Sequence, residues 1–250
     1  MTKKPEIQIP NAVKENPRSF IQIPQCDTVI AIEQTHNGKD MYQQLEGLAK
    51  ESLEMPSPLY FMTHRNNTLE ASQGRRQLVY ADGTEVSRKI ARDLWTRLSL
   101  PPQSVTNIRL NALFIEEEKE EHESPWEHSA STNWYIETDL RIVEVDGKKL
   151  LKGTRDFLDG STLHEDGYAE LTLNSQGFPT RKSPSQTYAS EQNIIFHYPR
   201  SKTDAGFSAD FDVAVLYCFG SPTVIISSLG TLASARGASQ IEKMFRGKIK

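Results

Sequence analysis

The chain has 250 residues, which suits one large domain or two small ones and is enough for a substantial hydrophobic core. It is 37% hydrophobic and 25% charged, as is ordinary for a soluble globular protein. The formal net charge of -4 excludes a global electrostatic attraction to nucleic acid or to an anionic membrane, so any such contact needs a local cluster of positive charge.

Cysteine usage and hydropathy predict the compartment. Cys26 and Cys218 lie far apart in apolar settings, which indicates buried free thiols rather than a disulfide framework. No apolar stretch of the secretory kind follows the start of the chain. The longest apolar run, residues 213–219, is far shorter than the roughly 20 residues of a membrane span. We therefore expect a soluble, cytoplasmic protein with no membrane partner.

Proline spacing organises the beginning of the chain. Pro5, Pro10, Pro17 and Pro24 interrupt residues 1–26 at short intervals, which prevents a regular helix or a central strand there. The segment is predicted to be an extended arm that wraps its own domain or a neighbour, with a disordered tail as the alternative. Residues 27–250 are predicted to form a single α+β domain with a sub-boundary near 99–104.

Strands and helices alternate in the first hundred residues. The predicted elements are a buried strand at 28–32, an amphipathic helix at 39–53, short strands at 59–62 and 77–80, and a second helix at 84–98. Val86, Ile90, Leu94 and Leu98 recur every four residues and define the core face of the second helix.

From residue 105 onward the hydrophobic period becomes two, which is typical of strands. Asp146-Gly147 predicts a two-residue hairpin turn, because a type I′ turn needs two positive φ angles. Further strands are predicted at 168–173, 193–198, 212–218 and 223–229. The fold class is therefore α+β, with a mostly antiparallel sheet of six or more strands and two or three amphipathic helices.

Residues 116–128 are dense in carboxylate and imidazole groups. His122, Glu123, Glu127 and His128 are candidate metal ligands, since these side chains commonly bind zinc, manganese or iron. Pro125 separates the two histidines, however, and their spacing does not place them on one helical face. An exposed acidic loop that contacts a basic partner is the favoured interpretation.

A second acidic group follows the hairpin. Asp156, Asp159, His164 and Asp166 are candidate catalytic residues, because neighbouring carboxylates can divide general acid and general base work. Asp159 and Asp166 each precede a glycine, and turns favour aspartate at that place for local hydrogen bonds. Turn formation explains both residues without any reaction.

Basic residues form local clusters despite the net negative charge. Arg75 and Arg76 follow a glycine, and the polar face of the second helix carries four more basic side chains: Arg88, Lys89, Arg92 and Arg97. Such clusters bind phosphate backbones when they share one surface. The alternative is an ordinary solvated helix face.

The chain contains none of the common catalytic motifs. It has no phosphate loop, dinucleotide fingerprint, nucleophile elbow, Cys-x-x-Cys pair or His-Glu-x-x-His sequence. The sequence therefore favours a non-enzymatic interaction or assembly subunit that binds a macromolecular partner through charged loops and arms, and it indicates no particular cofactor. The alternatives are a metal- or carboxylate-dependent hydrolase or small-ligand-binding domain, and a nucleic-acid-associated subunit that uses the second helix.

Overall fold

The computed structural model describes residues 9–99, 106–118, 132–210, 213–225 and 228–246. The helices of this part are α1 (Asn11–Glu15), α2 (Met41–Lys50), α3 (Pro58–Ser72), α4 (Arg88–Ser99) and α5 (Ala238–Arg246). The strands are β1 (Phe20–Ile23), β2 (Thr28–Thr35), β3 (Thr106–Glu118), β4 (Thr132–Val145), β5 (Lys148–Phe157), β6 (Gly167–Glu170), β7 (Asn193–Phe196), β8 (Thr203–Asp210), β9 (Val213–Gly220) and β10 (Leu229–Arg236). None of these helices is long and apolar enough to cross a membrane.

One sheet contains all ten strands. Its order is β1-β2-β10-β3-β8-β9-β7-β6, and β4 pairs with β3 and with β5. The α+β prediction with a large sheet is confirmed. The sheet is mixed rather than mostly antiparallel, however, because β10 runs parallel to β3 and β7 runs parallel to β9. A period-two pattern shows that a segment is a strand but does not show which distant strand it joins, and this is why the parallel contacts escaped prediction.

The predicted hairpin at Asp146-Gly147 is confirmed. Both residues have positive φ angles, 52° and 71°, and β4 and β5 pair antiparallel on either side of them. Asparagine, aspartate and glycine adopt such angles most readily, which makes this turn readable from sequence.

The predicted N-terminal arm begins outside the described residues, which start at residue 9. Residues 9–26 include α1 and β1, and β1 pairs antiparallel with β2 at the edge of the sheet. Val13 and Ile21 are fully buried. The predicted sub-boundary at 99–104 lies outside the described residues except for Ser99.

The strand prediction at 59–62 is wrong, because these residues belong to the fifteen-residue helix α3. The Ser57 hydroxyl accepts a hydrogen bond from the Tyr60 N–H (3.3 Å), and Pro58 occupies the first turn, as is usual at a helix start. A short apolar run does not distinguish a strand from a helix that is buried on every side. The strand predicted at 223–229 is also misplaced, since β10 starts at Leu229.

Helix α3 carries a fully buried arginine, Arg65. Its guanidinium lies over the Trp95 ring at 4.7 Å and near the Phe207 ring at 5.8 Å, and it donates to the Ser190 carbonyl (3.3 Å). Burial lowers the pKa of Arg65 to about 10, so the side chain remains charged at neutral pH. This cation joins α3 to α4 and to β8, which holds the helix in one orientation on the sheet.

A second buried arginine fixes the centre of the sheet. Arg109 of β3 forms an ion pair with Asp204 of β8 (Nε to Oδ2, 2.8 Å), and both side chains are almost completely buried. The remaining guanidinium nitrogens donate to backbone carbonyls of Lys39, Ser221 and Val224. Because every partner but one is backbone, Arg109 anchors the segments that precede α2 and β10 to the sheet.

The buried imidazole of His64 predicts a loss of stability in acid. Burial lowers the pKa of His64 to about 4, against about 6.5 in an unfolded chain. Between these values the unfolded chain binds a proton that the folded chain does not, so the free energy of unfolding falls as the pH falls from 6.5 to 4. The expected loss from this group is about 3 kcal/mol.

Urea unfolding of the wild type and of His64→Gln at pH 6.5 and pH 5 checks this expectation. The wild type should lose about 2 kcal/mol more than the variant across that interval. Equal losses in the two proteins would show that His64 is not held neutral by the fold.

Candidate functional site

Five exposed basic side chains lie where α3 ends and α4 begins. We call this set the basic surface: Arg75, Arg76, Arg88, Lys89 and Arg92. Arg75, Arg76 and Arg88 line one concave pocket of about 400 Å³ whose wall includes the apolar side chains of Leu78 and Val86. The fold therefore brings the arginines after α3 together with an arginine of α4, as a shared phosphate-binding surface requires.

The end of α3 sets the geometry of this surface. Gly74 has a φ angle of 77°, and its N–H donates to the Ala71 carbonyl (3.0 Å). The Arg75 N–H donates to the Glu70 carbonyl (2.8 Å). These are the two hydrogen bonds of a Schellman motif, which turns the chain sharply at a glycine. Arg75 and Arg76 consequently leave the helix end together.

Two arginines of α4 donate hydrogen bonds to backbone carbonyls at the end of α3. Arg88 donates from Nη2 to the Gln73 carbonyl (2.9 Å) and from Nε to the Ser72 carbonyl (3.4 Å), and Arg92 donates from Nε to the same Ser72 oxygen (3.4 Å). Cations are favourable at the negative end of a helix dipole. A guanidinium has five N–H groups, so most of them on both side chains remain for another acceptor.

Charge pairing at the basic surface is incomplete. Arg76 forms an ion pair with Glu70 (2.5 Å), whereas the other four members form no ion pair within the described part of the chain. Arg97, which the sequence grouped with them, pairs with Glu33 (2.6 Å) and lines a different cavity. The surface therefore keeps an excess of positive charge even though the protein as a whole is acidic.

Two of the candidate catalytic residues, Asp159 and Asp166, accept hydrogen bonds in this structure. Asp159 accepts from the Ser161 N–H (2.9 Å) and hydroxyl (2.7 Å), and these bonds hold the pKa of Asp159 below its ordinary value. Partial burial alone would raise the pKa of Asp166, but hydrogen bonds from the Tyr198 N–H and from His197 lower it. Both carboxyl groups therefore stay ionised at neutral pH. The bonds of Asp159 lie within its own turn, as the sequence predicts, whereas those of Asp166 join the start of β6 to the residues after β7.

His164 and Asp166 both contact Tyr198. The His164 Nδ1 lies 3.4 Å from the Tyr198 hydroxyl, and Asp166 accepts a hydrogen bond of 2.7 Å from the Tyr198 N–H. Asp156 lies apart from them on β5, in register with Ile136. The structure thus brings two of the four residues together and leaves their catalytic role a prediction.

The candidate metal ligands His122, Glu123, Glu127 and His128 lie outside the described residues, as does most of the acidic segment that contains them. Within the ranges that the structure describes, no group of three or more histidine, cysteine, aspartate or glutamate side chains is placed to hold a metal ion.

A cavity of about 580 Å³ lies between α2 and β4. Its lining includes Arg236, which pairs with Glu54 (2.9 Å) and with Asp139. Asp139 has a φ angle of 53° and marks a bulge where the β4–β5 register shifts, a feature that recurs beside binding sites. Arg236 thus faces two carboxylates, and these three side chains together keep a net negative charge.

Comparison with known proteins identified no similar protein from which a function could be inferred. No protein-family model matches the chain, and searches of curated proteins and of solved structures found no match either. Function therefore has to be argued from the chemistry of this chain alone.

Sequence reasoning missed the buried polar residues of the core, namely His64, Arg65, Arg109 and Asp204. Charged residues inside a strand or helix pattern carry no local mark of burial. The start and the end of α3, by contrast, carry recognisable sequence signals. Ser57-Pro58 is an ordinary helix start and Gly74 an ordinary helix end, so the two signals together could have predicted α3.

The contacts of Arg88 predict a difference between adjacent residues of α4. Arg88→Met removes both hydrogen bonds to the end of α3 and should lower the free energy of unfolding by about 1–2 kcal/mol. Lys89→Met removes the same charge from a side chain that makes no such bond, and should change it by less than about 0.5 kcal/mol. Urea denaturation measures both, and equal effects would refute the capping role.

Proposed function

We propose that this protein is a non-enzymatic binding subunit and that its basic surface contacts the phosphates of a nucleic acid. The observation that carries the proposal is the convergence of Arg75, Arg76 and Arg88 around one concave pocket. Arginine suits phosphate because its planar fork of N–H groups matches two phosphate oxygens. A concave site also excludes part of the water that would screen the contact.

The fixed orientation of the arginines supports the same proposal. Arg88 and Arg92 already donate to the end of α3, so their side chains lose little conformational freedom when a phosphate binds. Arg75 and Arg76 follow a rigid helix end rather than a long loop. Contacts to phosphates carry no sequence information directly, so we expect little sequence preference.

Fluorescence polarisation with a labelled oligonucleotide of about 20 nucleotides, as RNA and as duplex DNA, tests the proposal. The wild type should bind at about 50 mM salt and weaken steeply as salt rises. Arg75→Gln with Lys89→Gln removes two charges that form no ion pair and should weaken binding roughly tenfold. It should also reduce the salt slope by about two.

The matched control is Lys148→Gln with Lys152→Gln, which removes the same charge from β5. Both lysines are exposed. This control should bind like the wild type. Absence of wild-type binding at about 50 mM salt, or an equal loss in the control, would refute the proposal.

A second candidate is assembly through β5. This strand of ten residues pairs with β4 alone in the described sheet, so one edge of its backbone is available to another chain. Phe157 and Leu150 are exposed on it, at 65% and 39%. A second copy could add its own β5 antiparallel to this edge, because a two-fold axis makes the contact self-complementary.

Sedimentation velocity over a range of concentrations tests this second candidate. Association through β5 predicts a dimer whose fraction increases with concentration. Leu150→Lys should weaken it, since the substitution places a charge where the contact would cover an apolar side chain. Lys182→Gln, a charge change away from β5, should leave the dimer intact. A protein that stays monomeric at all concentrations would exclude the second candidate.

A further inference from the structure

The cavity between α2 and β4, which we call the α2–β4 cavity, shares no lining residue with the basic surface. Its volume of about 580 Å³ lies within the range of small-molecule sites, which are mostly apolar with a few placed polar groups. More than half of its lining residues are apolar, among them Leu45 and Leu48 of α2 and Leu140 and Ile142 of β4. These side chains favour a ligand with a hydrocarbon body.

The buried amide of Asn111, another lining residue, is already paired. Its Nδ2 donates to the Met55 carbonyl (3.3 Å), and its Oδ1 accepts a hydrogen bond from the Leu140 N–H (2.8 Å). Recognition of a polar group on a ligand therefore falls to the charged side chains of the lining.

Two carboxylates of the lining share one guanidinium. Arg236 pairs with Glu54 (2.9 Å) and with Asp139, and each of the three side chains is nearly half exposed. An ionised carboxylate accepts up to about four hydrogen bonds, so one guanidinium leaves acceptor positions open on both. Of the two other charged lining residues, Glu46 pairs with Lys149 (2.6 Å), and Arg141 is exposed. A positive charge is therefore best matched beside Glu54 and Asp139.

The backbone holds both of these carboxylates in place. Glu54 exchanges two hydrogen bonds with Ser234 of β10 (2.9 and 2.8 Å), and Arg236 follows on the same strand. Asp139 has a φ angle of 53° at the bulge of the β4–β5 pair, and bulges re-aim side chains. The segments that carry the charges are thus fixed before a ligand arrives, which lowers the entropic cost of binding.

We propose that the α2–β4 cavity binds a small organic monocation, an ammonium group on a short hydrocarbon chain. The chain lies against the apolar lining, and the ammonium donates hydrogen bonds to Glu54 and Asp139. An anionic head group would meet two carboxylates, and an uncharged one would leave their excess charge unmatched. This site does not depend on nucleic-acid binding at the basic surface.

The test uses n-hexylammonium, 1-hexanol and hexanoate as probes, because they carry similar chains and differ in the charge of the head group. Amide resonances of the full ¹⁵N-labelled chain are followed by NMR at pH 7, where the amine is protonated and the acid is ionised. Saturable shifts are expected at lining residues such as Leu48, Asp139 and Leu140. Hexylammonium should bind about five- to tenfold more tightly than hexanol, and hexanoate should bind most weakly.

Three variants locate the binding. Asp139→Asn removes one carboxylate and keeps a residue type that adopts positive φ angles, so it should bring hexylammonium down to the affinity of hexanol. The matched control is Asp146→Asn, at an aspartate that also has a positive φ angle (52°) but lies in the hairpin turn outside the cavity. This control should keep the wild-type preference. Ala49→Phe adds a ring to the lining from an exposed position of α2 and should abolish binding of all three probes.

Equal affinities of the wild type for the three probes would overturn the proposal, as would the absence of saturable shifts up to about 10 mM. Shifts confined to residues outside the lining, unchanged binding in Ala49→Phe, or an equal loss in Asp146→Asn and Asp139→Asn would overturn it as well. The comparison of probes needs only the wild type, so it decides the matter even where a variant fails to fold.

Discussion

Burial of helix α3 on every side is the constraint on which the rest of this structure depends. The helix lies between the sheet and α4, so polar atoms on it lose contact with water and depend on contacts inside the protein. Arg65 lies against two aromatic rings and donates to one carbonyl, and the Ser72 and Gln73 carbonyls at the end of the helix accept hydrogen bonds from Arg88 and Arg92. Arg88 and Arg92 therefore stabilise the end of α3 and also belong to the basic surface.

Substitution of Arg88 or Arg92 therefore changes both the stability of α3 and the charge of the basic surface. A loss of binding in a variant of Arg88 or Arg92 could follow from a loosened α3, because both side chains cap that helix. Arg75 and Lys89 contribute charge without holding α3 in place, so they report on binding alone. The acidic net charge of the chain does not oppose this interpretation, since salt screens charges that lie more than about 10 Å apart.

Local signals in the sequence predicted local structure well and long-range structure poorly. The Asp146-Gly147 turn and the helix at α4 follow from neighbouring residues, and the structure has both. The parallel contacts of β10 and β7 join segments that are distant in sequence, and no local pattern encodes them. The basic residues form clusters in the sequence, but their convergence depends on α3, and the sequence predicts a strand at 59–62 instead of this helix.

The claim that phosphates bind at the basic surface is tested most directly by the arginine Nε–H resonances of the full chain during titration with a short oligonucleotide at about 50 mM salt. The account predicts saturable shifts at Arg75, Arg76, Arg88 and Arg92, with no comparable change at Arg155, which pairs with Glu117 on the β3–β5 side of the sheet. Shifts of equal size at all of these arginines, or at none, would contradict it.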